Sequence, residues 1–172
     1  TKAFEVLADA KTHAEPSIRS ALVKVLAKAS GHEGMVGGQI IDLYAENHEL
    51  DVPEITRLQR MKTGALIAVS CDIGALMGKA SEEARHHLRG YSQDIGLAFQ
   101  IADDLLDVRG DEVEVGKKTQ KDAGAGKATF VSLLGVDEAS EQAHMLSQQA
   151  QKHLAIFGEK ADPLRALATF IV

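Results

Sequence analysis

The chain has 172 residues, 45% of them hydrophobic and 26% charged, with a formal net charge of −6 at pH 7. That length suffices for one domain with a sizeable core, and the acidic balance argues against a nucleic-acid partner, which would select a basic face. Anionic small molecules stay open, because a local basic patch can sit on an acidic protein.

Cys71 is the single cysteine, so an internal disulfide is ruled out and a reducing, cytoplasmic compartment fits. No apolar run reaches the roughly 18–20 residues of a membrane span, and no signal-peptide pattern is visible.

Nearly every segment reads as helix. The opening TKAFEVLADA is already helical in pattern. The next segment starts near Pro16 and ends at Ser30-Gly31, with Ile18, Leu22, Val25, Leu26 and Ala29 at helical spacing. HEGMVGGQIIDLYAEN follows, and its Gly37-Gly38 pair costs about 1 kcal/mol per glycine relative to Ala. The pair serves either close helix packing or the approach of backbone to a ligand.

A third helix is predicted over 53–78. Its later part, GALIAVSCDIGALMG, is apolar on almost every side, which predicts burial inside a bundle. Met35, Met61 and Met77 read as core packing. The fourth helix begins near Ser81, a candidate N-cap followed by Glu82 and Glu83. His86 and His87 on it read as surface residues, since neighbours at i,i+1 diverge on a helix. Residues 108–129, rich in Gly and Lys, read as a loop. Two helices, about 137–157 and 161–172, close the chain.

The fourth helix contains FQIADDLLD, three aspartates in an apolar run. On a helical wheel Leu88, Tyr91, Ile95, Ala98, Ala102, Leu105 and Leu106 form the core stripe. Gly96, Phe99, Gln100, Asp103 and Asp107 form the adjacent stripe, flanked by Asp104. Carboxylates three and four residues apart repel unless a cation or a basic partner neutralises them. Such a set suits Mg2+, which takes one or two carboxylates and completes its shell with water and substrate phosphate. A solvated acidic helix end is the bland alternative. Lys62, Lys117 and Lys127 each sit beside Gly or Thr, in KTG, VGKK and AGKAT, where small neighbours let an anion approach. Acids and lysines together point to a metal-bridged diphosphate.

The blocks GMVGGQIIDL, MKTGALI, GLAFQIADDLLDV and GKATFVSLLG, in this order, resemble the trans-isoprenyl diphosphate synthases, also called polyprenyl synthetases, and most of all the bacterial farnesyl or geranylgeranyl diphosphate synthase type. The resemblance implies an all-α, isoprenoid-synthase-type bundle around a central cavity, and a homodimer. It implies a prenyltransferase that condenses an allylic diphosphate with isopentenyl diphosphate, using Mg2+. By resemblance, Asp103 is the main metal ligand, with Asp104 and Asp107 in support. Lys62 and Lys117 hold the allylic diphosphate, Thr63 and Gln100 flank the reacting carbons, and Lys127 helps close a loop over the diphosphates. Gln39 and Asp42 line the cavity and Phe99 walls it.

The family uses two aspartate-rich motifs, and residues 1–61 hold no DDxxD. The expectation is therefore a single domain forming the C-terminal part of a longer protein, incomplete at its N-terminal side. Such a part is expected to be inactive alone and, with the sides of its apolar helix exposed, not to persist as a monomer. Two other classes compete. A non-catalytic regulatory subunit would tend to lose the acids and lysines retained here. A terpene cyclase fits the KTG and GKAT blocks poorly.

Overall fold

The computed structural model describes residues 1–109 and 129–172, and every regular element among them is helical. Helices α1 (Lys2–Ala8) and α2 (Pro16–Ser30) open the chain. Pro16 starts α2, where its missing N–H leaves no hydrogen bond unmade. Helix α3 (Met35–Ala45) carries the glycine pair. Helix α4 (Val52–Gln59) begins at a reciprocal cap: the Glu54 amide donates to Asp51 at 2.9 Å and the Asp51 amide donates to Glu54 at 3.0 Å.

The helix expected over 53–78 is present but not uniform. Between α4 and α5 (Ala65–Met77), residues Arg60–Gly64 form a π-helical turn. One-turn π insertions shift the register of the side chains they carry and occur frequently at functional sites. This one holds Lys62 and Thr63.

Helix α6 (Glu82–Arg109) is the long central element. Ser81 accepts the Ala84 amide at 3.2 Å at its start, as its sequence predicts. After the undescribed stretch come α7 (Phe130–Leu134), α8 (Val136–His153), a 3-10 segment (Ala155–Ala161) and α9 (Asp162–Phe170). The helix expected to reach residue 157 stops at His153, because the chain tightens into the 3-10 segment and turns at Gly158, whose φ is 59°. Helix α7 has no counterpart in the sequence reading. It is fixed by a second reciprocal cap between Thr129 and Ser132.

The core forms around α6. One cluster joins Ile55 of α4, Ala98 and Ile101 of α6, and Ala139, Ala143 and Leu146 of α8. A second joins Tyr91 and Ile95 to Ala150, Leu154 and Ala168. Buried polar groups tie these layers together: the Tyr91 hydroxyl donates to the Leu164 carbonyl at 3.0 Å, and the Ser147 hydroxyl donates to the Ala168 carbonyl at 2.6 Å.

Three core expectations are corrected. Leu106 is 51% exposed, while Ile101, outside the predicted stripe, is fully buried. The reason is that α8 packs across the Ala98–Ile101 side of α6. Met77 is exposed at the end of α5. On α5 itself only Val69 and Ala75 are buried, because α2 and α6 cover two flanks and Leu66 opens onto a groove.

Candidate active site

The site begins with two close backbone approaches. A Cβ on Gly38 would fall 2.3 Å from the Lys62 amide nitrogen and 2.6 Å from its Cα. A Cβ on Gly37 would fall 2.7 Å from the Met61 methyl. Gly38 therefore serves helix packing against the π turn, whereas a Cβ on Gly37 would first meet the carbonyl oxygen of His32, just ahead of its own helix. One helical turn after Gly38, Asp42 accepts a hydrogen bond from Lys62 Nζ at 2.6 Å. Asp42 is buried, and the Lys62 side chain keeps about a third of its surface in solvent.

The second approach lies between the π turn and α6. A Cβ on Gly96 would stand 3.4 Å from the Gly64 Cα. This crossing of two glycines sets the next turns of α6, with Phe99, Gln100, Asp103 and Asp104, beside Lys62 and Thr63 on the wall of one cleft of about 1130 Å³. Asp42, Thr129 and Ser132 also line it. A groove of about 830 Å³ shares Lys62, Thr63 and Phe99 with the cleft and is otherwise almost wholly apolar, walled by residues such as Ile67, Leu88, Ile95 and Leu167.

The structure brings Lys62, Thr63, Phe99, Gln100, Asp42, Asp103 and Asp104 to this cleft. It does not bring Gln39 or Asp107. Gln39 is half-buried on α3 away from the cleft wall, and Asp107 is buried at 7% exposure. Lys117 and Lys127 lie outside the described residues. The role of Asp104 is partly structural: its Oδ2 accepts the buried Phe130 amide at 3.1 Å and so caps the first turn of α7.

Among the described residues, no group of three or more His, Cys, Asp or Glu side chains converges closely enough to hold a metal by itself. Asp103 and Asp104 on the cleft wall nevertheless fit the Mg2+ pattern of one or two carboxylates completed by phosphate oxygens.

Away from the cleft, the expectation of two surface histidines holds for His86 only. His87 is half-buried, with its ring 6.2 Å from that of His153 and its Nδ1 buried without a hydrogen-bond partner. His153 in turn approaches Asp94 at 3.2 Å. Burial pushes the Asp94 carboxyl up and the His153 ring pulls it partly back. Burial also pushes up the Cys71 thiol, which suits a packing residue and not a nucleophile.

A sequence profile described as Polyprenyl synthetase matches residues 1–162. The chain belongs to that family. To the farnesyl diphosphate synthase of Escherichia coli this polyprenyl synthetase chain is 39% identical over 177 residues, 100% of its own length and 59% of the relative's. To a dimethylallyltranstransferase of Fischerella ambigua it is 43% identical over 148 residues, 86% and 43% of the two lengths. The all-α bundle superposes with a TM-score of 0.88 on an apo FPP/GFPP synthase of Zymomonas mobilis, at 49% identity, covering 99% of this chain and 57% of that one. It also matches a Helicobacter pylori geranyltransferase complexed with magnesium and isoprenyl diphosphate, with a TM-score of 0.82 and 32% identity, covering 99% and 55%. The chain spans about half the length of the curated relatives it matches. No helix among the described residues is long and apolar enough to cross a membrane.

Proposed function

We propose that this chain carries the allylic-substrate site of a trans-prenyltransferase, which joins an allylic diphosphate to isopentenyl diphosphate head to tail and yields a short-chain prenyl diphosphate such as farnesyl or geranylgeranyl diphosphate. One observation carries this reading. A polar, carboxylate-bearing cleft and an apolar groove meet at Lys62, Thr63 and Phe99. That junction suits a molecule with a diphosphate head and a hydrocarbon tail.

In this reading Lys62 binds the diphosphate as a point charge. Thr63 and Gln100 orient the first carbons of the allylic chain, and Phe99 shields them from water. The allylic C–O bond breaks with its electron pair leaving on diphosphate. The double bond of isopentenyl diphosphate then forms the new C–C bond, and the proton lost from the product passes to the released diphosphate. Mg2+, held by Asp103 with support from Asp104, would supply Lewis-acid stabilisation of the leaving group, whereas Asp107 is buried away from the cleft. Lys117 and Lys127 are assigned to the same diphosphates on their sequence blocks alone.

The chain is further assigned to a single domain that self-associates as a homodimer. Val36, Ile40 and Leu43 support this assignment. They form an exposed apolar stripe on the side of α3 opposite Gly38 and Asp42. The lone thiol of Cys71 suits a reducing, cytoplasmic compartment. The test of the reading is calorimetric titration with a non-hydrolysable allylic diphosphate, with and without Mg2+. Binding should require the metal and weaken at least about tenfold in Asp103→Ala, the cost of a lost charge-assisted contact.

A further inference from the structure

We infer that helix α3 is a positioning element for Lys62, with Gly38 seating its backbone and Asp42, one turn later, holding its ammonium group over the cleft. Two separate contacts carry this. At Gly38 the two backbones lie so close that any Cβ would meet the Lys62 amide nitrogen at 2.3 Å, so this helix face and the π turn are in fixed register. At Asp42, Oδ2 accepts Lys62 Nζ at 2.6 Å. Residues 38 and 42 lie on one face of α3, about 6 Å apart along its axis. That rise matches the reach of an extended lysine side chain. The lysine is therefore held at both ends.

A free lysine side chain loses much rotamer freedom when it grips an anion. Held by α3, Lys62 has already given up that freedom, while its ammonium group keeps two further donors for an incoming anion. The charge of Asp42 works in the opposite sense, since a carboxylate repels a diphosphate. Positioning and repulsion can be separated, because Asp42→Asn and Asp42→Ala remove the same charge and only the asparagine keeps an acceptor beside Nζ.

The inference rests on the reading of the cleft as a diphosphate site, and one of its two tests does not need that reading. Relaxation of the Lys62 Cε group, followed by NMR in the 172-residue chain with labelled lysine, reports the order of the side chain without ligand. Asp42→Asn should leave it ordered, and Asp42→Ala should release it to the mobility of an exposed lysine. Equal order in Asp42→Ala and the unsubstituted chain would overturn the inference. The second test is calorimetry with inorganic diphosphate and Mg2+. Asp42→Ala should bind about fivefold more weakly than Asp42→Asn, the scale of one side chain's ordering entropy, and the difference should vanish when Lys62→Met is added. A difference that survives Lys62→Met means Asp42 acts by another route and also overturns the inference. Should the unsubstituted chain bind no diphosphate at all, the functional reading fails while the NMR result still decides the role of Asp42.

Discussion

Asp104 reaches from the middle of α6 to accept the backbone amide of Phe130 at 3.1 Å. A carboxylate of the aspartate-rich motif thereby closes the first turn of α7 through a buried hydrogen bond. The neighbouring Asp103 is only half-buried and faces the cleft. Two adjacent acids of one motif thus stand in different environments. Asp104→Ala should lower the free energy of unfolding by about 2–3 kcal/mol, the cost of orphaning a buried donor from a charged acceptor. Asp103→Ala, at a half-buried site, should cost less. Urea denaturation of the two variants checks the order, and equal losses would mean that Asp104 carries no structural load.

Glycines in this chain separate into those the packing requires and those it tolerates. Gly38→Ala places a methyl against the Lys62 backbone and should destabilise by roughly 1–3 kcal/mol or more. Gly74, inside α5, has nothing within 4 Å of its would-be Cβ, so Gly74→Ala should stabilise by up to about 1 kcal/mol through helix propensity. Thermal unfolding of both variants shows whether the signs are opposite.

Much of this was legible in the sequence, and what was not has more than one physical cause. The helical spacing of Tyr91, Ile95 and Ala98 was enough to orient α6, and the i,i+4 relation of Phe99 and Asp103 put an aromatic wall and an acid on one side of it. Those are local facts. The choice between packing and ligand approach at Gly38 needed its partner, Lys62, which is distant in sequence and close only after folding. The Lys62–Asp42 hydrogen bond spans 20 positions, and neither residue type signals it. The π turn was invisible because RMKTG interrupts no hydrophobic period. Burial of α5 was over-read because all-round apolarity states what a helix can bury, not how many neighbours cover it.

Tyr91 is 1% exposed and donates to the Leu164 carbonyl. Burial pushes its phenol up to about 12. Tyr91→Phe should cost about 1 kcal/mol at neutral pH. With the folded value above the unfolded one, this contribution is fully present below pH ~10 and is lost as pH rises through the folded value near 12. Ultraviolet titration of a Tyr44→Phe chain, which retains a single tyrosine, should show the phenol ionising near 12. Ionisation near 10 would contradict its burial.

Burial of Asp94 sets the sign of a pH effect. Its folded carboxyl is raised by burial, with His153 opposing. The folded state therefore holds its proton where the unfolded state has released it, and stability falls as pH rises through that window, starting near pH ~4. Asp94→Asn removes this dependence. Its stability relative to the unsubstituted chain should climb across the window in urea denaturation, and a difference that is flat or falls with pH would contradict the assignment.

The proposed binding of an allylic diphosphate depends on the junction between the carboxylate-bearing cleft and the apolar groove at Lys62, Thr63 and Phe99. Calorimetry with a non-hydrolysable farnesyl diphosphate analogue tests it most directly. Binding should depend on magnesium, weaken at least about tenfold in each of Lys62→Met and Asp103→Ala, and be only partly reproduced by inorganic diphosphate, which lacks the hydrocarbon. Binding that is absent, or indifferent to magnesium and to both substitutions, would contradict it.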